Sequence, residues 1–307
     1  MKNSPLEGTC ALASIKLLSC HKRNHSKPAP LWAKYGKPVN MSMRIATYNV
    51  NGVNGRLPRL LEWLRETSPD IVCLQELKTD DSKFPVRAIE DAGFGAVWHG
   101  QRAHHGVAIL AKDETPREIR RGLPGDASDG QSRYLEAAAK GIIVASIYLP
   151  NGNPKPSPNF DYKLAWFERL NKHAASLYDS GQPIVLAGDF NVVPTDADIY
   201  NAWLWRWDAV IQQETRDAYQ RLLAQGWTDA TRYLHPNERI YTYWVNAAAF
   251  ERNAGFRMDF LLVSAKLAPK LIEADVDTEH RGREHPSDHA PAWVSLSRTP
   301  SKRRTLR

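Results

Sequence analysis

The sequence predicts a single α/β domain over residues 43–297, and three observations carry that prediction. Short apolar runs bounded by Gly and Pro recur along the chain. The clearest is Pro183–Ala187, closed by Gly188; so short a run between breakers reads as a buried strand. Amphipathic helical stretches alternate with these runs. Two strands also end alike. Ala46-Thr47-Tyr48-Asn49-Val50-Asn51 and Ala187-Gly188-Asp189-Phe190-Asn191 each finish on polar residues at i and i+2. A duplicated α/β layer would leave that echo.

Taken in order, Arg44–Val50 is a strand ending at Asn49 and Asn51. Leu57, Leu60, Leu61 and Leu64 then recur at helical spacing. Asp70–Gln75 is a second buried strand, terminated by Glu76, so the three pieces form a βαβ unit with its polar ends at the carboxyl edge. Val107–Ala111, Tyr134–Ala139 and Ile142–Leu149 are strands with turns between them, a pattern of antiparallel pairing. Gly152–Pro158 is loop. Phe160–Tyr178 is the longest helix, with Leu164, Phe167, Leu170, Ala174 and Leu177 on its buried face. After Pro183–Ala187 comes a long connection holding Trp203, Trp205 and Trp207, which are expected to pack rather than to form a base-stacking platform. Thr215–Gln225 is a helix closed by Gly226. Phe256–Ser264 is a strand with Asp259 in its middle, Leu271–Asp275 a short one, and Ala290–Ser297 closes the domain.

Residues 1–42 read differently. They hold Pro5, Pro28, Pro30, Pro38 and a loose basic cluster, and a disordered or non-native leader is the expectation. Of the net charge of +7, this leader carries +6 and the basic tail 298–307 carries +5, which leaves 43–297 at −4. The basic balance therefore says little about what the folded body binds. Three cysteines do not make a disulfide framework, so a cytoplasmic location is expected. No apolar run approaches the ~18 residues of a membrane helix.

Polar and ionisable residues collect at strand ends: Asn49, Asn51, Glu76, Tyr148, Asp189, Asn191, Asp259, Asp288 and His289. Singly, each has a structural explanation, as a turn former, a cap or a satisfied core histidine. Asp259 is harder to explain that way, because Met258, Phe260, Leu261 and Leu262 surround it, and an imidazole is its natural partner. Carboxylates converging in one cleft repel unless a hard cation sits among them. Oxygen ligands with one histidine and no cysteine point to Mg²⁺, with Mn²⁺ as a substitute, rather than zinc. A base for water, a cation on phosphate and a histidine held by an aspartate make a phosphodiester-hydrolysis site. Spacing alone leaves DNA, a lipid head group and an inositol phosphate open as substrates.

These residues lie in blocks that resemble the exonuclease III family of AP endonucleases, within the endonuclease/exonuclease/phosphatase superfamily. The blocks are the strand with Asn49, Leu74-Gln75-Glu76-Leu77-Lys78, Gly106-Val107-Ala108-Ile109, Tyr148-Leu149-Pro150-Asn151-Gly152, Gly188-Asp189-Phe190-Asn191, Asn253-Ala254-Gly255-Phe256-Arg257-Met258-Asp259 and Ser287-Asp288-His289. The resemblance implies a four-layer α/β/β/α sandwich of two mixed sheets flanked by helices. It implies Mg²⁺-dependent cleavage of double-stranded DNA 5′ to an abasic site, leaving a 3′-hydroxyl, with 3′→5′ exonuclease and 3′-phosphatase activity on blocked ends. It also implies a monomer acting away from membranes. A superfamily phosphodiesterase acting on a lipid or inositol phosphate is the alternative.

Carried across from the family, Glu76 is the main metal ligand, with Asn49 and Asp288 nearby. Asp189 is the general base for water, and Asn191 orients that water or the phosphate. His289 contacts the scissile phosphate and is held by Asp259, while Tyr148 lies against the phosphate or the leaving oxygen. Asp189, Asn191 and His289 are alternatively ligands at a second metal position. Arg133 and Lys163 match positions suited to phosphate contacts, and Trp244 and Asn51 are expected at the substrate. Two departures stand out. Val245-Asn246-Ala247-Ala248-Ala249 replaces the family's Asp-Tyr and basic residue after Trp244, and Asn51 stands where some relatives carry Asp.

Overall fold

A computed structural model describes residues 42–298. The leader and the basic tail expected at 1–42 and 298–307 therefore lie outside the described residues, except for Ser42 and Arg298. In chain order the elements are β1 (Ser42–Asn49), α1 (Leu57–Thr67), β2 (Ile71–Gln75), α2 (Val86–Asp91), β3 (Phe94–His99), β4 (Val107–Lys112), β5 (Arg117–Arg121), β6 (Tyr134–Ala139), β7 (Ile142–Tyr148), α3 (Pro158–Asp179), β8 (Ile184–Asp189), α4 (Gln213–Ala224), β9 (Thr228–Asp229), α5 (Ala230–Leu234), α6 (Ala247–Glu251), β10 (Asp259–Val263), β11 (Leu271–Val276) and β12 (Ala292–Ser297).

Two six-stranded sheets form, in the orders β11-β12-β1-β2-β4-β3 and β5-β6-β7-β8-β10-β9. Each is mixed. The pairs β1–β2 and β7–β8 are parallel, and the other ladders are antiparallel. The side chains explain the layering. Met43 and Ile45 of β1, Ile71 and Cys73 of β2, Val144 of β7 and Val185 and Ala187 of β8 share one core between the sheets. Alternate residues face outward. Ala46, Val72 and Leu74 meet Leu60, Trp63 and Leu64 of α1 and Ile89 of α2, while Ile184 and Leu186 meet Trp166, Phe167 and Leu170 of α3 and Leu222 of α4. The four-layer sandwich follows. α3 starts where Ser157 accepts a hydrogen bond from the Phe160 amide and Pro158 occupies the first turn. No helix among the described residues is long and apolar enough to cross a membrane.

The duplication is present as a circular permutation. The path β11-β12-β1-α1-β2-α2-β3-β4 has the same pairing order as β5-β6-β7-α3-β8-α4-β9-β10. The echo between Asn49 and Asp189 therefore compared non-equivalent strands: β1 corresponds to β7, and β8 corresponds to β2. Three strands carried no usable pattern, one of them the two-residue β9. β5 (R-E-I-R-R) is exposed along its whole length at a sheet edge, and β3 contains Gly95 and ends in the half-buried Val97, Trp98 and His99 at the other sheet's edge, with no strict alternation. Asp259 opens β10 rather than sitting mid-strand.

Beneath one rim, the interlayer core turns polar. Thr47 donates to the Gln75 side chain at 3.1 Å, Gln75 donates to Ser146 at 3.2 Å, and Ser146 donates to the Leu74 carbonyl at 3.0 Å. All three side chains are buried and partnered, so they lock the two sheets' relative position without an unsatisfied group. Gly188 is required at this level, because a Cβ there would lie 1.9 Å from the Ile147 carbonyl oxygen.

Candidate active site

The two parallel pairs point their carboxyl ends at the same rim. Asn49 ends β1, Glu76 follows β2, Tyr148 ends β7 and Asp189 ends β8. Asn49, Tyr148 and Asp189 fall on the inward-facing register that carries Ile45, Val144 and Ala187 below them, so strand alternation alone aims them between the sheets. The chain then turns sharply. Asn51, Glu76, Lys78 and Asn191 all adopt positive φ, between 44° and 52°. Asn tolerates that region, whereas Glu and Lys are strained there by about 1 kcal/mol each. Such strain is held in place by surrounding structure and collects at functional sites.

Hydrogen bonds fix the groups. Asn49 donates from Nδ2 to Glu76 at 2.9 Å and to Asp189 at 3.1 Å, while its Oδ1 accepts from the Asn51 amide at 3.0 Å. Lys78 pairs with Glu76 at 2.8 Å and donates to Asn51 at 2.6 Å, and Asn51 donates to Asp288 at 2.9 Å. Asp189 also accepts from the Asn191 amide at 2.9 Å. Asn191 donates to the Leu149 carbonyl at 2.9 Å and accepts from Asn151 at 3.1 Å. Asp259 lies opposite Asp189 in the β8–β10 ladder and holds His289 Nδ1 at 2.8 Å. That leaves His289 Nε2 facing Asp189 at 3.8 Å. Ser287 donates to the Asn49 carbonyl at 2.7 Å, tying the last loop to β1.

Ionisation divides the site. Burial pushes Glu76 up, but hydrogen bonds from Asn49 and Lys78 outweigh it and hold the carboxyl below its usual range. Burial likewise opposes ionisation of Asp288, yet His289, Asn51 and Ser287 keep it low. Asp189 goes the other way. Burial raises it to about 7, with Asp259 and Glu76 adding to the rise and His289 opposing it. Burial opposes charge on His289, but Asp259, Asp189 and Asp288 carry it to about 10. Burial and the charges of Glu76 and Asp189 keep Tyr148 protonated.

These groups line a cleft of about 140 Å³ together with Asn151, Trp205, Asp208, Val210, Tyr243, Phe256 and Met258. Tyr243 packs its ring 4.8 Å from that of His289. A second cleft of about 340 Å³ adjoins it through Tyr148 and Asn151 and is lined by His104, His105, Gln131, Arg133 and Tyr162. A third cavity of about 310 Å³, at Met43, Lys140 and Ile142, lies at the amino ends of the parallel strands, away from this chemistry.

The structure thus gathers Glu76, Asn49, Asn51, Tyr148, Asp189, Asn191, Asp259, Asp288 and His289 at one rim. It places other expected residues elsewhere. Lys163 is fully buried, donating to the carbonyls of Asn151 at 2.9 Å and Asn191 at 2.5 Å, so it supports the rim and does not reach a substrate phosphate. Trp244 is also buried, with its indole on Asn253 at 3.2 Å and its ring against Phe250. The altered 245–249 segment leads into α6 and supplies no cleft residue. Arg133 lies over the Tyr148 ring at 4.7 Å and bonds its carbonyl at 3.2 Å while lining the second cleft. Sequence reasoning left Lys78, Asn151 and Ser287 without a role, although each stands inside a matched block. Trp205, Tyr243, Phe256 and Met258 gave no signal separable from core aromatics and aliphatics.

As metal ligands, the expected residues fit unevenly. Asn49 and Asn191 each accept one hydrogen bond on the side-chain oxygen, from Asn51 and Asn151, and His289 gives Nδ1 to Asp259 and turns Nε2 toward Asp189. Glu76, Asp189 and Asp288 supply an oxygen-only set of carboxylates, and Asp259 Oδ1 is buried nearby with no partner among the described residues. Among the described residues, the triad whose ligand atoms all lie within 4.8 Å of one another is Glu66, Glu279 and His280. Arg283 pairs with both of its carboxylates. The cleft is therefore no closed protein cage, which suits a hard cation that keeps its waters and takes one or two carboxylates.

Residues 46–289 match the model of the Endonuclease/Exonuclease/phosphatase family. The chain is 34% identical over 267 residues to exodeoxyribonuclease III of Haemophilus influenzae, covering 83% of this chain and all of that protein. Among solved structures, the 3′ phosphatase NExo from Neisseria bound to product DNA hairpin superposes with a TM-score of 0.80 at 38% identity, over 83% of this chain and 99% of that one. An AP endonuclease from Archaeoglobus fulgidus superposes with a TM-score of 0.80 at 34% identity, over 84% of this chain and all of that one.

Proposed function

Because the chain belongs to the endonuclease/exonuclease/phosphatase family, we propose that its cleft hydrolyses DNA phosphodiesters 5′ to abasic sites and trims blocked 3′ ends. It is a metal-dependent DNA-repair nuclease of the exodeoxyribonuclease III type. One observation carries the assignment of roles: an ionised Glu76, a desolvated Asp189 and a charged His289 share one small cleft. Mg²⁺ is the cation this reading calls for; Glu76 would be its main protein ligand, with Asp288 and Asp189 able to contribute, and it would supply positive charge for the phosphate and the charge that develops there.

The chain's own groups do the rest. His289, fixed by Asp259, presents a protonated Nε2 to a phosphate oxygen. Asp189, poised near neutrality, takes a proton from the attacking water. The new P–O bond forms as the bond from phosphorus to the 3′ oxygen breaks, and that oxygen takes a proton from solvent water to leave as a hydroxyl. Tyr148, neutral at any working pH, offers a donor on this side. Asn191, with both ends of its amide engaged, holds Asp189 in position.

A duplex carrying one abasic analogue, compared with the same undamaged duplex with and without EDTA, tests the reading. Incision at the analogue, with release of phosphate from a 3′-phosphorylated end, both abolished by EDTA, is expected. Turnover of an inositol phosphate or a lipid head group with no cleavage of either DNA would overturn it.

A further inference from the structure

The connection after β8 holds side chains that the proposed chemistry does not use. Trp203, Leu204 and Trp207 are 69%, 69% and 75% exposed, although burial is the ordinary fate of such residues. Their backbone is nonetheless pinned. Asn201 accepts from the Trp203 and Leu204 amides at 3.1 and 3.4 Å, and Gln212 donates to the carbonyls of Arg206 and Asp208 at 2.9 and 2.8 Å. Between the two indoles lies Arg206, whose guanidinium carbon is 4.0 Å from the Trp203 ring centre and 5.4 Å from that of Trp207. Trp205, in the middle of the run, turns inward and packs edge-on against Phe256 at 4.8 Å. Both of those rings line the catalytic cleft.

The exposed aromatics were expected to pack, and for Trp205 that expectation is met. For Trp203 and Trp207 it is not. A pair of exposed indole faces with a cation held between them, flanking a tryptophan that lines the phosphodiester-cleaving cleft, matches one ligand chemistry. Nucleobases stack on flat rings whatever their identity, and the adjacent phosphate meets the guanidinium. A paired base inside a duplex offers no free face, so the surface suits bases that have left the stack.

We propose that Trp203, Arg206 and Trp207 form a stacking platform that holds unpaired bases of the DNA beside the catalytic cleft. The platform makes the enzyme favour sites where the helix is frayed or interrupted. It rests on the nuclease reading for its setting, and it contributes to substrate binding rather than to the chemical step.

The test uses the full-length chain in EDTA with a single-stranded oligothymidine of eight nucleotides. Binding should quench tryptophan fluorescence. Trp203→Ala/Trp207→Ala should raise Kd about tenfold or more, whereas Trp203→Phe/Trp207→Phe should stay close to wild type because Phe keeps a ring face. With metal and the abasic duplex, the alanine pair should raise KM and leave kcat unchanged. A Kd within twofold of wild type for the alanine pair would refute the platform, as would a phenylalanine pair that fails equally. Concentration-dependent dimerisation of wild type, lost in the alanine pair, would instead assign the surface to a second copy of the chain and also refute it. Oligothymidine binding as expected with no DNA cleaved would sink the nuclease reading and uphold the platform. Cleavage with an unchanged KM in the alanine pair would sink the platform alone.

Discussion

The two halves of the sandwich share a topology and divide the chemistry. In one half, the β1–β2 pair ends in Asn49 and Glu76, and Lys78 lies 2.8 Å from the Glu76 carboxylate. In the other, β7–β8 ends in Tyr148 and Asp189, with no lysine or arginine among the described residues paired to that aspartate and a second carboxylate, Asp259, across the ladder. The first arrangement keeps Glu76 ionised at any working pH, and the second brings Asp189 to about 7. Permuted copies of one βαβ layout thus supply a permanent anion and a titrating one. A cation needs the former and a general base needs the latter. The difference lies in what each strand end touches, since both carboxylates leave parallel pairs at the same rim.

The largest effect should come from breaking the titrating half. Asp189→Asn keeps the shape of the side chain and removes the base, so kcat on an abasic duplex should fall about 10³-fold, within the range usual for general-base removal. DNA affinity should be retained. A gel-based single-turnover assay reads both quantities, and a kcat within threefold of wild type would remove Asp189 from the base role. Breaking the permanent half should look different. Glu76→Gln should raise the metal concentration for half-maximal activity by about tenfold or more, with much of kcat recovered at saturating metal. An unchanged metal titration would take the ligand role from Glu76. If both variants gave the same signature, the division between the halves would be wrong.

How much of this could be read from the chain depends on what each residue leans on. Inward-facing Asn49 and Asp189 follow from period two along an apolar strand, and the Asp259–His289 pair follows from an acid among aliphatic neighbours. The metal roles expected of Asn49, Asn191 and His289 are less legible than the carboxylates' roles. A ligand role depends on which atom of a side chain is free, and composition could not show that Asn51 and Asn151 donate to the two amide oxygens or that Asp259 takes His289 Nδ1 and leaves Nε2 facing Asp189. Lys163 illustrates the same limit. Its position suggested a phosphate contact, but α3 carries it inward, where it satisfies two loop carbonyls. At the tryptophan run, composition could not separate the ring that packs from the two that do not. The short helical turn at Ala202–Trp205 decides that, and no apolar periodicity announces it.

The smallest predicted effect tests the same division without a change in activity. Metal binding disfavours a proton on any carboxylate beside it. Glu76 has none to lose, because Asn49 and Lys78 hold it ionised in the metal-free protein. Asp189 is protonated below about 7, so Mg²⁺ entering the cleft should expel a proton there. Calorimetry in two buffers of different ionisation enthalpy should therefore count up to one proton released per metal at pH 6 and progressively fewer above pH 7. The release should vanish in Asp189→Asn and persist in Lys78→Met, since removing Lys78 takes away a cation and leaves Asp189 buried. Release that survived Asp189→Asn would mean that another group titrates on metal entry, and Asp189 would lose its place as the titrating anion.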